Sequence, residues 1–362
     1  MEIRPGSVDE ELAMRTMRLS YSDVNIETPY KACSHRAPIA EVNEVFTRYS
    51  KKKLTNMLGS TIEERRANTD LKSRRNGGIN VLVPEYTDAA VPNEEMVRAL
   101  AQVQHAHADV VVTPVWSNLI GELVGQGDRL MTTLVNLNDS YIESIEAFNN
   151  KTIWGVVPQR LPRLYLREYI QRLVERDVTS FVVDFNNAAV DSNPSWLSEL
   201  LMAVKEYRLL EESVFYALNA NEGRFSKRAE VIPAKDFLCC GFDFDLLGMN
   251  NTMVRGNKEF FEKLRNNRGI DAAITYRDFD RNNYGYRRRE TESRDVREQA
   301  KRMNLRRQVE ESAILRQRLA EDRSVKGYIL TKQSVTEKMI SSSKALRAEI
   351  YGRERARQTT LI

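Results

Sequence analysis

The stretch CCGFDFDLLGMNN, residues 239–251, places two aspartates, Asp243 and Asp245, two positions apart in an apolar run. In a strand, positions i and i+2 share a face, about 7 Å apart. Phe242 and Phe244 would then face one way and both carboxylates the other. Such a pair is costly in a dry core; it fits a polar cavity, a cation or an exposed strand end. Further carboxylates and amides fall where apolar runs end: Asp88, Gln159, Asp184, Asn186, Asn219 and Asn221, with Trp116 among them. That set is poor in lysine and suits a mouth that receives a neutral polar ligand such as a base or a sugar; ordinary polar loop residues would give the same pattern.

Other chemistries have little to stand on. The three histidines, His35, His105 and His107, give weak support to a His-based triad. Cys33, Cys239 and Cys240 form neither a disulfide framework nor a zinc-ligand spacing, so we expect a reducing, cytoplasmic setting and neither metal nor cofactor. No run of about 18 apolar residues predicts a membrane span, and the first residues lack the apolar core of a signal peptide.

The elements that must position these residues alternate. INVLVPEY (79–86) reads as a strand and 92–107 as a helix. The pattern repeats with strand 108–116 and helix 127–149, strand 151–158 and helix 162–177, strand 179–185 and helix 193–212 capped by Ser192 or Asn193, and strand 213–220. A helical AEVIPAKDFLCC (229–240) then leads into GFDFDLLG. Strands apolar throughout, each followed by a helix, predict a parallel sheet covered on both faces. With at least six such units and no glycine-rich dinucleotide fingerprint, the expected fold is α/β, a (β/α)8 TIM-like barrel, with chemistry at the C-terminal ends of its strands. We expect the barrel over 1–272 and a basic, mostly helical C-terminal extension over 273–362.

From residue 251 onward the chain has 27 Lys and Arg against 16 Asp and Glu; before it the count is 28 against 35. An acidic body with a basic C-terminal third is a layout of nucleic-acid proteins, and a solvated arginine-rich tail gives the same count. In ITYRDFDRNNYGYRRRETESRD (274–295), Tyr276, Phe279, Tyr284 and Tyr286 interleave with Arg277, Arg281, Arg287, Arg288 and Arg289. Bases stack on aromatic faces and arginines take phosphates, so these five arginines are candidate nucleic-acid contacts. A polar extension packing its tyrosines on the barrel is the alternative. Residues 295–323 and 333–356 read as charged helices, with GYIL (327–330) as a β segment between them.

The middle of the chain resembles the tRNA-guanine transglycosylase superfamily, which includes DNA-guanine transglycosylases. The likeness runs through GVVPQRLPRLYLREYIQRLVERD, with Gln159 and Arg167 eight apart, then SFVVDFN, then GFDFDLLG at the place of the family's nucleophile strand. YTDAAVP (86–92) stands at a second catalytic aspartate, IETPYKA (26–32) at an early Thr-Pro segment, and QHAHADVV (104–111) at a strand entry. Arg160 and Leu161 replace a glycine pair, Asp184-Phe185-Asn186 a glycine loop, and the family's zinc motif is absent.

What the resemblance implies is base exchange. A 7-deazaguanine would replace guanine, in DNA ahead of tRNA, with Asp245 as nucleophile, Asp243 as its neighbour or the nucleophile itself, and Asp88 as general acid/base. Gln159, Asp184 and Asn186 would meet the base, and Tyr86 or Trp116 would stack on it. Expected partners are DNA or tRNA and a 7-deazaguanine base, with no membrane and with homodimer formation open. Two other readings stay open. One is a catalytically inactive barrel serving as a nucleic-acid-binding or complex-forming subunit; the other is an unrelated barrel hydrolase or lyase using the paired aspartates with a divalent cation.

Overall fold

A computed structural model describes residues 1–34, 41–148, 151–223, 229–252 and 274–358. Eight parallel strands form its centre: β4 (Tyr30–Lys31), β5 (Val42–Tyr49), β6 (Ile79–Tyr86), β7 (Val110–Val112), β8 (Ile153–Pro158), β9 (Ser180–Asp184), β10 (Phe215–Leu218) and β12 (Leu246–Leu247). They pair in the order β4-β12-β10-β9-β8-β7-β6-β5. A bridge between Cys33 and Asn43 joins the two ends, so the sheet closes into a barrel. The α/β barrel expected from the alternating pattern is the observed architecture.

The strands read as apolar throughout because both faces are buried. Val110, Val112, Val156, Val182 and Tyr216 point into the barrel, while Val111, Val157, Phe181, Val183 and Phe215 pack under the helices. That outer layer contains α1 (Lys51–Gly59), α2 (Thr61–Ser73), α3 (Glu94–His107), α4 (Ser117–Leu123), α5 (Asp128–Glu146), α6 (Leu166–Val174) and α7 (Pro194–Glu206). Of the two expected caps for α7, Asn193 does the work, accepting from Trp196 N.

An antiparallel sheet of β1 (Glu2–Val8), β2 (Arg15–Tyr21) and β3 (Val24–Glu27) closes the N-terminal end of the barrel. Its Met17, Leu19 and Ile26 join the interior cluster, and the Met1 amino group donates to Thr152, just before β8.

The second half departs from the expected pattern. AEVIPAKDFLCC is not a helix: it holds β11 (Val231–Pro233) and a 3-10 turn, Phe237–Gly241. β11 pairs with β14 (Gly285–Thr291), which pairs with β13 (Ile274–Asp280). GYIL lies in helix α9 (Lys326–Leu330), not in a strand. Before it comes α8 (Arg294–Asp322), and after it α10 (Glu337–Gln358). The core is continuous across the 272/273 boundary. α8 covers β4, where Arg316 donates to Pro29 O at 2.8 Å, and α10 packs on α7 and contributes Met339, Ile340, Leu346 and Ile350. Among the described residues, then, the C-terminal helices complete the barrel's own outer layer.

Candidate functional site at the C-terminal mouth

The C-terminal ends of the strands carry a connected polar network. On β5, positions 44, 46 and 48 share a face, and Glu44 and Arg48 both enter the network. Glu44, itself buried, accepts from Met249 N at 2.9 Å, from Asn251 Nδ2 at 2.6 Å and from the Tyr216 hydroxyl. Burial pushes its carboxyl above the ordinary range, and these hydrogen bonds hold it back only in part. Arg48 Nε donates to Glu85 Oε2 at 2.7 Å, and its guanidinium also reaches the Asn251 carbonyl. The other oxygen of Glu85 takes the Ser117 hydroxyl at 2.7 Å.

Asp184 ends β9 on the same mouth. Its Oδ1 accepts from Asn219 Nδ2 at 2.8 Å and from Asn186 N at 3.1 Å. Among the described residues its Oδ2 carries no hydrogen bond. Burial raises its carboxyl, with Glu85 adding to the effect against the pull of Asn219, Asn186 and Arg160. Asn219 Oδ1 accepts from Asn251 N at 2.8 Å, which joins the two halves of the network. Asn186, Asn187 and Asn219 all have left-handed φ, +45°, +66° and +55°. Asparagine tolerates that region better than most residues, which accounts for its density here. With the Asn186 amide oxygen turned to Arg160, Nε and Nη2 lie 2.6 and 2.7 Å away.

The remaining expected residues divide by position. Gln159 stands at the mouth, its Nε2 3.3 Å from Ser192 Oγ. Asp88 is on the rim, where its carboxylate accepts from Lys51 N at the start of α1, a favourable seat for an anion. Tyr86 and Trp116 do not face the mouth. They are buried under the helices, edge to face at 5.8 Å, with Tyr86 donating to Ala90 O and Trp116 to Asn138 Oδ1.

Asp243 and Asp245 lie at the other end of the barrel. The GFDFD segment is not a strand until Leu246, because Asp243 takes a left-handed φ of +67°. Both carboxylates converge on Arg15 of β2. Asp245 meets Arg15 Nε at 3.2 Å and Nη2 at 2.7 Å, and also accepts from Thr28 Oγ1 and Phe215 N. Asp243 lies 3.7 Å from Arg15 Nε and accepts from the Tyr351 hydroxyl at 3.0 Å. Burial opposes the Arg15 charge, but the two carboxylates outweigh it and raise its pKa. Burial lifts Asp245, against Arg15. The spacing that suggested a reactive pair is a sealed ion triad, and the structure does not bring Asp88 and Asp245 into one site.

In the C-terminal segment Phe279, Tyr284 and Tyr286 are buried against Phe237 and one another, and Tyr276 is half-buried. Arg277 pairs with Glu222, Arg281 with Glu310 and Glu311, Arg287 with Asp280 and Arg288 with Glu290. Arg289 has no carboxylate partner among the described residues.

Glu44, Arg48, Glu85 and Tyr216 escaped the sequence reading. For three of them the signal was a charged residue on the inward face of a strand, Glu44 and Arg48 in VNEVFTRY and Glu85 in INVLVPEY; Tyr216 in FYAL gave none. Among the described residues no group of three or more His, Cys, Asp or Glu is arranged to hold a metal ion, and no helix is long and apolar enough to cross a membrane.

The fold and this network define an α/β barrel with carboxylates and amides clustered at the C-terminal ends of its strands. The chain matches no protein-family model and no curated protein sequence.

Proposed function

We propose that the chain is a base-exchange transglycosylase acting on nucleic acid at the C-terminal mouth. The observation that carries this reading is the pairing of two unlike carboxyl groups there. Glu85 is held by the Arg48 guanidinium, while buried Asp184 is pushed toward its protonated form. A carboxyl that burial raises, beside one ion-paired with a guanidinium, is an arrangement that can divide acid and nucleophile work between the two. In the exchange, Glu85 attacks the anomeric carbon, forming a carbon–oxygen bond as the glycosidic carbon–nitrogen bond breaks, and Asp184 gives its proton to the leaving base. The incoming base returns its proton to Asp184 as its ring nitrogen displaces Glu85. Gln159 and Asn186 lie at the same opening and are the residues placed to read a base edge. The resemblance supplies the substrate class: guanine replaced by a 7-deazaguanine, in DNA ahead of tRNA. The basic C-terminal third supplies the approach surface, chiefly Arg287 and Arg288, whose ion pairs exchange cheaply for phosphates, with Arg289 beside them.

A second reading, a barrel without chemistry that binds nucleic acid or joins a complex, is favoured by Asn251. Its side chain and backbone tie Glu44, Arg48 and Asn219 together across the opening. The test is exchange of labelled guanine into DNA and tRNA, with a free 7-deazaguanine as competitor. Asp184→Asn and Glu85→Gln should each cut exchange by ~100-fold or more, with nucleic-acid binding retained. Binding without exchange in the parent chain overturns the catalytic reading in favour of the second.

A further inference from the structure

Beside the mouth, between the barrel rim and the C-terminal segment, lies a cavity of about 290 Å3. That is close to the lower end of small-molecule sites, ~300–1,000 Å3. Two of its cations, one on the barrel and one on β13, are balanced by carboxylates. Buried Lys31 lies 3.6 Å from Asp236, and Arg277 Nε lies 3.4 Å from Glu222. The facing wall is α8, which presents Arg297 and Lys301, four residues apart and therefore on one face. Lys301 reaches Glu298 at 2.7 Å on the exposed side of the helix, and Arg297 has no carboxylate partner among the described residues. The lining thus carries four cationic side chains against two carboxylates, with the surplus on α8. Arg297 also sits in the first turn of that helix, where the backbone dipole favours an anion. Tyr276 is half-buried beside these cations, whereas Tyr286 is buried with its hydroxyl committed to Asp236.

We propose that this cavity binds a nucleoside monophosphate unit, with its phosphate between Arg297 and Lys301 and its base against Tyr276. An inorganic anion alone would leave the exposed part of the Tyr276 ring unused. A base supplies a planar face for it. The inference deepens the nucleic-acid reading and rests on it for the source of the nucleotide, since a free mononucleotide and one unit of a single strand present the same chemistry.

The test uses the full chain and calorimetric titration with guanosine 5′-monophosphate, guanosine, inorganic phosphate and a five-nucleotide single-stranded DNA. The nucleotide should bind at least tenfold more tightly than guanosine or phosphate. Arg297→Ala/Lys301→Ala should weaken it tenfold or more, and Tyr276→Ala should weaken it while sparing phosphate. These side chains are exposed or half-buried, and matched melting curves verify folding. Arg66→Ala/Arg172→Ala, on outer helices away from the cavity, should leave mononucleotide affinity unchanged. Binding of the oligonucleotide alone, lost in the Arg297/Lys301 variant, assigns the source to a strand and supports the site. No binding of either, equal binding by that variant, or phosphate bound as tightly as the nucleotide overturns it. Base exchange measured on the same samples separates the two proposals: nucleotide binding without exchange removes the transglycosylase and leaves the cavity.

Discussion

Replacing Arg15 by methionine tests the reassignment of Asp243 and Asp245 most directly. The guanidinium is only 3% exposed and is the one cation facing both carboxylates among the described residues. Methionine keeps much of the volume and removes the charge. Breaking a buried ion pair by deleting one partner costs ~3–5 kcal/mol, because the remaining charge stays buried without compensation. Arg15 also donates to the carbonyl of Ser213 at 2.8 Å and to that of Leu210. Each of these two orphaned buried acceptors adds ~1–3 kcal/mol. The total, roughly 5–11 kcal/mol, falls within the ~5–15 kcal/mol that holds a domain together.

The measurement is urea unfolding followed by far-ultraviolet circular dichroism, for Arg15→Met, Asp245→Asn and the double variant. Asp245→Asn should cost less than Arg15→Met, because Asp243 still faces the guanidinium at 3.7 Å. The double variant should be more stable than the two single losses added together, since the pair is coupled by ~0.5–3 kcal/mol. An Arg15→Met variant within about 1 kcal/mol of the parent, or strict additivity, would sink the ion-triad account. So would an Asp245→Asn variant that is as stable as the parent yet dead in exchange, which is the behaviour of a nucleophile.

Two further outcomes follow from the packing. Asp184 has a folded pKa above its ordinary 3.8, so the fold favours its protonated form: that contribution is full below about 3.8 and is lost as pH rises through the folded value. Asp184→Asn mimics the protonated form, and its stability relative to the parent should rise from pH 4 to pH 8; a flat difference across that range contradicts the assignment. Removing residues 337–362 strips Met339, Ile340, Leu346 and Ile350 from the core, at ~1.5–3 kcal/mol each. The shortened chain should lose its cooperative urea transition, and a parent-like midpoint would show that α10 is dispensable.

What the sequence made legible was local. INVLVPEY is a strand over the whole predicted 79–86, and the helix expected over 92–107 starts at Glu94 because Asn93 caps it from outside, accepting from Met96 N. What failed depended on distant partners. Val231–Pro233 carries helix-compatible neighbours but pairs with residues 285–287, more than fifty positions on. β5 hides behind Asn43, Glu44, Thr47 and Arg48, and its eight-residue pairing with β6 is visible only once the barrel closes. The same limit shaped the site. Asp184, Gln159 and Asn186 are legible as strand-end residues because strand ends are local features, and the structure places all three at the C-terminal ends of β8 and β9. Glu44 and Glu85 were missed because their inward direction is a property of the closed sheet. Asp243 and Asp245 misled because their partner, Arg15, lies about 230 residues away.

The contrast between Asp184 and Asp245 explains why the two ends of one barrel differ in chemical capacity. Burial raises both carboxyls. Both oxygens of Asp245 are occupied, one by Arg15 Nε and Thr28, the other by Arg15 Nη2 and Phe215 N. Protonating it would discard the charge that compensates Arg15, so any proton it gained would be opposed by the stability of the fold. Asp184 has one oxygen committed to Asn219 and Asn186 and the other carrying no hydrogen bond among the described residues. Its proton can come and go while Asn219 and Asn186 hold the side chain in place. A carboxyl group held by neighbours that do not depend on its charge can exchange a proton without disturbing the fold. On the proposed reading, that difference assigns the acid role to Asp184 rather than to Asp245.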